Sequence, residues 1–151
     1  MAHARFPLTN RAISGKYSPG STFKMLVALA GLDGGVMHPT HEVFCPGFTV
    51  LGNRRFHCWK RGGHGRMNMN KALTQSCDVY FYEVAKRVGV DGMAVMARRF
   101  GFGEKLGIEL PSERKGLVPT RDWNLAVHGL PWHTGRPVII RTGQGPLGSA
   151  P

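Results

Sequence analysis

The pattern of apolar and polar positions predicts four helices. Residues 25–32 are almost wholly apolar and residues 34 and 35 are both glycine, so we expect a helix over residues 21–32 that ends at this pair. Helical patterns also cover residues 70–75, 79–88 and 91–100.

Extended structure is indicated at residues 48–59. Residues 48–51 and 54–59 flank Gly52-Asn53, which is a typical hairpin turn. We expect the remaining segments to be loops, turns and short extended pieces; they are residues 1–18, 39–45, 61–66 and 101–129, with 130–151 poorly patterned. The mixture predicts an α+β fold in which helices pack on a sheet whose central strands lie outside this chain.

The length and net charge of the chain narrow the classes of protein to which it could belong. The chain has 151 residues, enough for one domain, and its net charge is +11. The basic residues are scattered, without C2H2 spacing, an RNP-like string or a basic heptad, so we expect no nucleic-acid partner and instead a basic surface facing anionic lipid or cell-wall polymer. No apolar run could span a bilayer or serve as a signal peptide, so we expect no anchor or export signal in the chain itself.

Ser21 and Lys24 lie three residues apart, directly after Pro19-Gly20. On the predicted helix both would lie on one face, with Ser21 at the N-terminus. Lys24 is the only charge between Ser21 and Leu32, and burial of a lone ammonium favours the neutral amine. A neutral amine can accept the serine proton and make Ser21 a nucleophile. The spacing alone is a weak signal, because serine after Pro-Gly is also an ordinary N-cap.

A second segment, Ser76-Cys77-Asp78, strengthens the interpretation of Ser21 and Lys24 as a catalytic pair. Ser-x-x-Lys together with a segment of this kind is typical of penicillin-binding proteins and related β-lactamases. Residues 8–24 resemble the approach to the active serine of class B penicillin-binding proteins, and residues 76–83 resemble their second motif, most closely in the elongation type. Further matches, at Gly101-Phe102-Gly103, residues 107–111 and Gly143-Gln144-Gly145, extend the resemblance over residues 8–151.

The resemblance implies a serine D,D-transpeptidase that cross-links peptidoglycan without a catalytic cofactor. Ser21 would attack a D-Ala-D-Ala stem peptide, Lys24 would take its proton, and Ser76 would relay a proton to the leaving D-alanine. A second stem peptide would resolve the acyl-enzyme, and β-lactams would acylate the same serine. The implied fold is of the β-lactamase/transpeptidase type, an antiparallel sheet flanked by helices. The implied setting is the periplasmic side of the bacterial inner membrane, with a membrane glycosyltransferase of the elongation machinery as partner.

The chain departs from the family pattern at two places. The third residue of the second motif is usually Asn and here is Asp78, which offers only acceptors when ionised and would position the motif rather than bind substrate. The third family motif, Lys-Thr-Gly or Lys-Ser-Gly, does not occur in the 151 residues. We therefore expect residues 1–151 to be the N-terminal part of a transpeptidase domain, with little or no activity alone.

The three cysteines and one histidine form a possible metal site. With Gly52-Asn53 as the turn, position 47 lies opposite Cys58, so Cys45 should lie near Cys58. His64 follows six residues later and Cys77 lies inside the second motif, which completes a Cys3His set for tetrahedral zinc. The alternatives are a Cys45–Cys58 disulfide or three free thiols, and His57 is an alternative ligand.

Two other functions remain open at this point. A β-lactamase or β-lactam sensor of the same fold would share Ser21 and Lys24, but we find no glutamate in a clear context to activate a hydrolytic water. A non-catalytic, basic, zinc-stabilised binding module would use the charge and the Cys/His set, but it leaves the pairing of the two serine motifs unexplained.

Overall fold

The computed structural model describes residues 17–107, 109 and 113–129. The predictions for Gly143-Gln144-Gly145 and residues 130–151 lie outside these ranges, as does most of residues 1–18. The described residues form helices α1 (Phe23–Asp33), α2 (Met69–Thr74), α3 (Asp78–Arg99) and α4 (Arg121–His128), and strands β1 (Val43–Cys45), β2 (Phe48–Leu51), β3 (Arg54–His57) and β4 (Gly65–Met67).

The first three helices lie where the apolar pattern predicts them. Helix α1 continues directly from a 3-10 turn at Gly20–Thr22. Helix α2 begins after Asn68, whose side chain accepts a hydrogen bond from the backbone N–H of Lys71, an ordinary N-cap. Helix α3 leaves the helical region at Gly89 (φ 74°, ψ 168°), so its two parts correspond to the helices predicted over residues 79–88 and 91–100.

The strands form two separate antiparallel pairs. Strands β2 and β3 pair with Leu51 opposite Arg54, which confirms the hairpin at Gly52-Asn53. Strands β1 and β4 also pair, with Cys45 opposite Gly65, so the prediction of loops is wrong at residues 43–45 and 65–66 and holds for residues 39–42 and 61–64. Each of these strands is three residues long, too short to show an alternating pattern in the sequence.

Helix α4 also corrects the sequence interpretation, which placed only turns and extended pieces after residue 101. It begins after Thr120, whose hydroxyl accepts a hydrogen bond from the backbone N–H of Trp123. It ends at Gly129, which is in the left-handed region (φ 63°). A Thr N-cap and a Gly C-cap that enclose eight residues are a helix signal, although the helix is short.

The core lies between α1 and α3, which form the largest contact between elements among the described residues. Strands β1, β2 and β3 contact the same helix α3. Both helices contribute buried side chains to one cluster, among them Phe23, Val27 and Ala30 from α1 and Phe81, Val84 and Ala85 from α3. None of the helices in the described ranges is long and apolar enough to cross a membrane.

The ion pairs of Glu83 on α3 are expected to make a small, pH-dependent contribution to the free energy of unfolding. Burial raises the pKa of Glu83, but hydrogen bonds and charges from Lys86 and Arg87 outweigh it and hold the pKa below its ordinary value of 4.5. Because the pKa is lowered on folding, this stabilisation is present above about pH 4.5 and is lost as the pH falls further. We expect Glu83→Gln to lower the free energy of unfolding by about 0.5 kcal/mol at pH 7, since the pairs are partly exposed.

Urea unfolding at pH 7 and pH 3 measures this effect. The difference between the parent and Glu83→Gln should disappear at pH 3, and a difference that stays constant with pH would contradict the assignment. Glu42→Gln is a matched control, because the Glu42–Arg66 pair is more exposed and longer, at 3.5 Å.

Candidate active site and metal cluster

Lys24 joins the two serine motifs. It is the second residue of α1, and only 2% of it is exposed. Its Nζ donates hydrogen bonds to Ser76 O (2.9 Å), to Ser76 Oγ (2.9 Å) and to Asp78 Oδ1 (2.6 Å). The packing of α1 against α3 therefore places the lysine of the first motif directly on the serine and the carboxylate of the second.

The expectation that Lys24 is an unpaired charge is wrong. Asp78 forms a salt bridge with it, and the Asp78 side chain is only 14% exposed. The other oxygen of the carboxylate, Oδ2, accepts a hydrogen bond from the backbone N–H of Trp59 at 2.9 Å. Both oxygens of Asp78 are thus engaged within the protein, one by Lys24 and the other by the Trp59 backbone.

Ser21 lies in the 3-10 turn immediately before α1, and it is exposed. In the described part of the chain, the hydrogen-bond partners of Lys24 are on Ser76 and Asp78, and Ser21 is not among them. The structure therefore brings Lys24, Ser76 and Asp78 into direct contact and places Ser21 within one turn of Lys24 along the chain.

Ser76 has an unusual backbone conformation. Its φ is +51°, in the left-handed region that disfavours residues with a side chain, and no other described non-glycine residue has a positive φ. Such strain costs about 1–3 kcal/mol and persists only where surrounding contacts hold it. Two of those contacts are the hydrogen bonds from Lys24 to the Ser76 carbonyl and hydroxyl oxygens.

The four predicted metal ligands lie together in the structure. The ligand atoms of Cys45, Cys58, His64 and Cys77 are all within 4.8 Å of one another. His64 Nδ1 lies 3.6 Å from Cys45 Sγ and 3.4 Å from Cys58 Sγ. A tetrahedral zinc ion with ordinary bond lengths requires ligand atoms about 3.5–3.8 Å apart, and the two distances from Nδ1 lie close to this spacing, which makes Nδ1 the candidate nitrogen ligand.

The chemistry of the cluster is also that of a metal site. All three cysteines are buried and unbonded to one another, so the disulfide alternative is not present in this structure. Burial raises the pKa of the Cys77 thiol, and Cys45 and Cys58 raise it further, so this thiol becomes a thiolate ligand only if a bound cation offsets these effects. Burial and, to a lesser degree, the charge of Lys60 lower the pKa of His64, which favours the neutral imidazole that binds metals. His57, the alternative ligand, lies outside the set, with its ring against Phe48.

Two glycines allow the segments that bear the ligands to approach closely. A Cβ atom at Gly47 would collide with the carbonyl oxygen of Arg61, and one at Gly63 would collide with the carbonyl oxygen of Cys45. At the same place Cys58 N donates to Gly47 O (2.8 Å) and His64 N donates to Cys45 O (3.0 Å). These backbone contacts hold three of the ligands in place without a metal.

Comparison with known proteins identifies the family. The chain matches the family described as penicillin binding protein transpeptidase domain over residues 1–147. The chain belongs to this transpeptidase family. It is 41% identical over 147 residues to the peptidoglycan D,D-transpeptidase MrdA of Acinetobacter baumannii, covering 96% of this chain and 22% of that protein. The chain therefore spans about a fifth of the length of this curated relative.

Solved structures of the family confirm the predicted fold class. The Pseudomonas aeruginosa PBP2 in complex with WCK 5153 superposes with a TM-score of 0.90 at 40% identity, covering 95% of this chain and 33% of that one. The Helicobacter pylori PBP2 in complex with MreC gives the same TM-score at 36% identity, covering 95% and 27%. The family resemblance that the two serine motifs indicate is thus confirmed over nearly the whole of this chain.

Proposed function

We propose that this chain is part of a peptidoglycan D,D-transpeptidase that works through an acyl-enzyme on Ser21. The observation that carries the proposal is the hydrogen bonding of Lys24 to Ser76 Oγ and Asp78, one turn from Ser21. Family membership supports the reaction class, and the contacts of Lys24 support the individual roles. The substrate would be a stem peptide that ends in D-Ala-D-Ala.

The contacts support a specific path for the proton. The Oγ of Ser21 attacks the carbonyl carbon of the peptide bond between the two D-alanines, and Lys24, reacting as the neutral amine, accepts the Ser21 proton. Asp78 stabilises the ammonium that forms. When the C–N bond breaks, the contact between Nζ and Ser76 Oγ provides a route for a proton to the leaving D-alanine nitrogen. The amine of a second stem peptide then attacks the ester carbonyl carbon, the bond from this carbon to Ser21 Oγ breaks, and a proton from the amine passes through Lys24 to Ser21 Oγ.

Partners and location follow the relatives. We propose the periplasmic face of the bacterial inner membrane as the site of action and a membrane glycosyltransferase of the elongation machinery as the partner. The complex of the Helicobacter pylori PBP2 with MreC supports a role within a larger assembly. β-Lactams, as analogues of the D-Ala-D-Ala terminus, would acylate the same serine and remain bound.

Mapping of a penicillin adduct tests the proposal. Because the 151 residues lack a Lys-Thr-Gly or Lys-Ser-Gly motif, the test protein is a chimera in which residues 1–147 replace the matching segment of the Acinetobacter baumannii relative. We expect a fluorescent penicillin to form a stable adduct that peptide mass spectrometry locates on Ser21. An adduct elsewhere, or none, would refute the proposal, and rapid release of hydrolysed penicillin would favour a β-lactamase. Retention on nucleic acid without acylation would favour a basic binding module.

We also propose that Cys45, Cys58, His64 and Cys77 hold a structural zinc ion. The proposal rests on the gathering of the four ligand atoms within 4.8 Å of one another, on the two distances from His64 Nδ1, and on the Cys3His donor set. When bound, zinc would supply cross-links between these segments and no chemistry on substrate. Because Cys77 lies between Ser76 and Asp78, the ion would tie the β2–β3 hairpin to the second motif.

Elemental analysis and thiol titration of the folded protein, purified without added reductant, test the metal proposal. We expect about one zinc per chain, and titration of thiols after denaturation in chelator should find all three cysteines reduced. A folded sample with three free thiols and no zinc would contradict the zinc proposal. Recovery of only one free thiol would favour the Cys45–Cys58 disulfide.

A further inference from the structure

Trp59 connects the metal cluster to the second motif. It follows Cys58 directly, and its indole ring packs edge-on against the ring of His64, with centroids 5.2 Å apart. Its backbone N–H donates to Asp78 Oδ2 at 2.9 Å, and its indole Nε1–H donates to the carbonyl oxygen of Gln75 at 3.0 Å. One residue therefore contacts a metal ligand and both sides of the Ser76 position.

The two hydrogen bonds from Trp59 bracket Ser76. Gln75 precedes this strained residue, and Asp78 follows it by two positions. Lys24 binds Ser76 itself from the opposite element, α1. The orientation of Ser76 is thus set from two sides, by Lys24 and by Trp59.

Burial does not explain the position of the Trp59 side chain. Trp59 is 63% exposed, so most of the ring gains nothing from leaving water. What fixes the ring is the indole hydrogen bond to Gln75 and the contact with His64. The single polar atom of this side chain therefore helps to hold an exposed ring in place and is bonded to the residue next to Ser76.

We propose that Trp59 is a positioning residue for acylation, whose indole N–H holds the Gln75–Ser76 peptide in the orientation that Lys24 requires. The inference rests on the proposed transpeptidase function. Loss of the indole N–H frees the Gln75 carbonyl and lets Ser76 relax from its left-handed conformation. The contacts of Trp59 with Asp78 and His64 are left in place, because they do not use the indole nitrogen.

Removal of a single N–H group tests this inference. In the chimera, Trp59 is replaced by β-(3-benzothienyl)alanine, which keeps the shape of the side chain and lacks the donor, and in a second protein by Trp59→Phe. We expect the first-order rate constant for acylation by bound penicillin to fall about three- to tenfold, the value of one neutral hydrogen bond. The dissociation constant of the non-covalent complex, the zinc content and the melting temperature should not change in the benzothienyl protein. The same replacement at Trp123, whose ring lies against His128 on α4, is the matched control and should change nothing.

Each outcome separates this inference from the proposed function. An unchanged acylation rate in the benzothienyl protein would overturn the inference but leave the proposed function intact. A slower rate that is accompanied by zinc loss or a lower melting temperature would also overturn it, because Trp59 would then have a structural role. If the parent chimera is not acylated, the function fails, but the inference is still tested by amide hydrogen exchange at residues 76–78. Exchange should be about three- to tenfold faster without the indole donor, and equal exchange would overturn the inference.

Discussion

Lys24→Met in the chimera will abolish useful acylation and also destabilise the protein. Methionine fills a similar volume but cannot accept the Ser21 proton, and loss of a general base costs about 10²–10⁴-fold in rate. It also leaves the carboxylate of Asp78, 14% exposed, without its cation. Removal of one partner of a buried ion pair costs about 3–5 kcal/mol, so the free energy of unfolding should fall by that order. Stopped-flow acylation and urea unfolding measure the two effects separately.

A second substitution separates chemistry from stability at this pair. In the double variant Lys24→Met/Asp78→Asn no charge is stranded, so most of the lost stability should return while acylation stays lost. Lys71→Met, on the exposed surface of α2, is the control for loss of a lysine and should change neither quantity. Acylation of Lys24→Met within tenfold of the parent rate would exclude Lys24 as the base.

Cys58→Ser will release the zinc ion and loosen the second motif. Loss of a neighbouring support of a ligand costs 10–100-fold in metal affinity, so loss of a ligand itself should cost more than about 100-fold. Because the ion would join the hairpin to Cys77, its loss should lower the melting temperature and slow acylation together. Inductively coupled plasma mass spectrometry after dialysis, with thermal unfolding of the same samples, measures both.

The neighbouring residue provides the control for the zinc experiment. His57→Ala removes the alternative ligand, which lies outside the cluster, and should keep a full equivalent of zinc. A chelator should reproduce the Cys58→Ser effects in the parent protein and add nothing to the variant. Zinc retained by Cys58→Ser and lost from His57→Ala would reassign the ligand set.

The sequence predicts those parts of the fold that are encoded locally. The apolar run of α1, the Gly-Asn turn between β2 and β3, and the break near Gly89 each depend on residues adjacent in the chain. Strands β1 and β4 escape prediction because they pair across an intervening hairpin and are three residues long. Helix α4 escapes it because the caps at Thr120 and Gly129 enclose only eight residues.

The candidate site likewise has contacts that the local sequence predicts and contacts that depend on how distant segments pack. The hairpin register brings the Cys45 and Cys58 regions together and is readable from the turn, which is why the metal set can be proposed from sequence. The pairing of Lys24 with Asp78 spans 54 positions and depends on how α1 packs against α3, which no local pattern specifies. Trp59 has no motif of its own, and only the course of the backbone after β3 directs its two donors to Gln75 and Asp78.

The backbone approaches so closely at Gly47 and Gly63 that few substitutions can be tolerated at these two positions during evolution. Substitution at either position would force apart the backbone segments that carry Cys45 and His64, whereas a Cβ atom at Gly52 in the exposed β2–β3 turn would meet nothing within 4 Å. A search for distant relatives with the same cluster should therefore require the glycines as well as the ligands, as the pattern Cys-x-Gly-x10-Cys-x4-Gly-His-x12-Cys. Homologues that lose a thiolate but keep both glycines would retain the architecture with a different donor, and those that lose a glycine would abandon the site altogether.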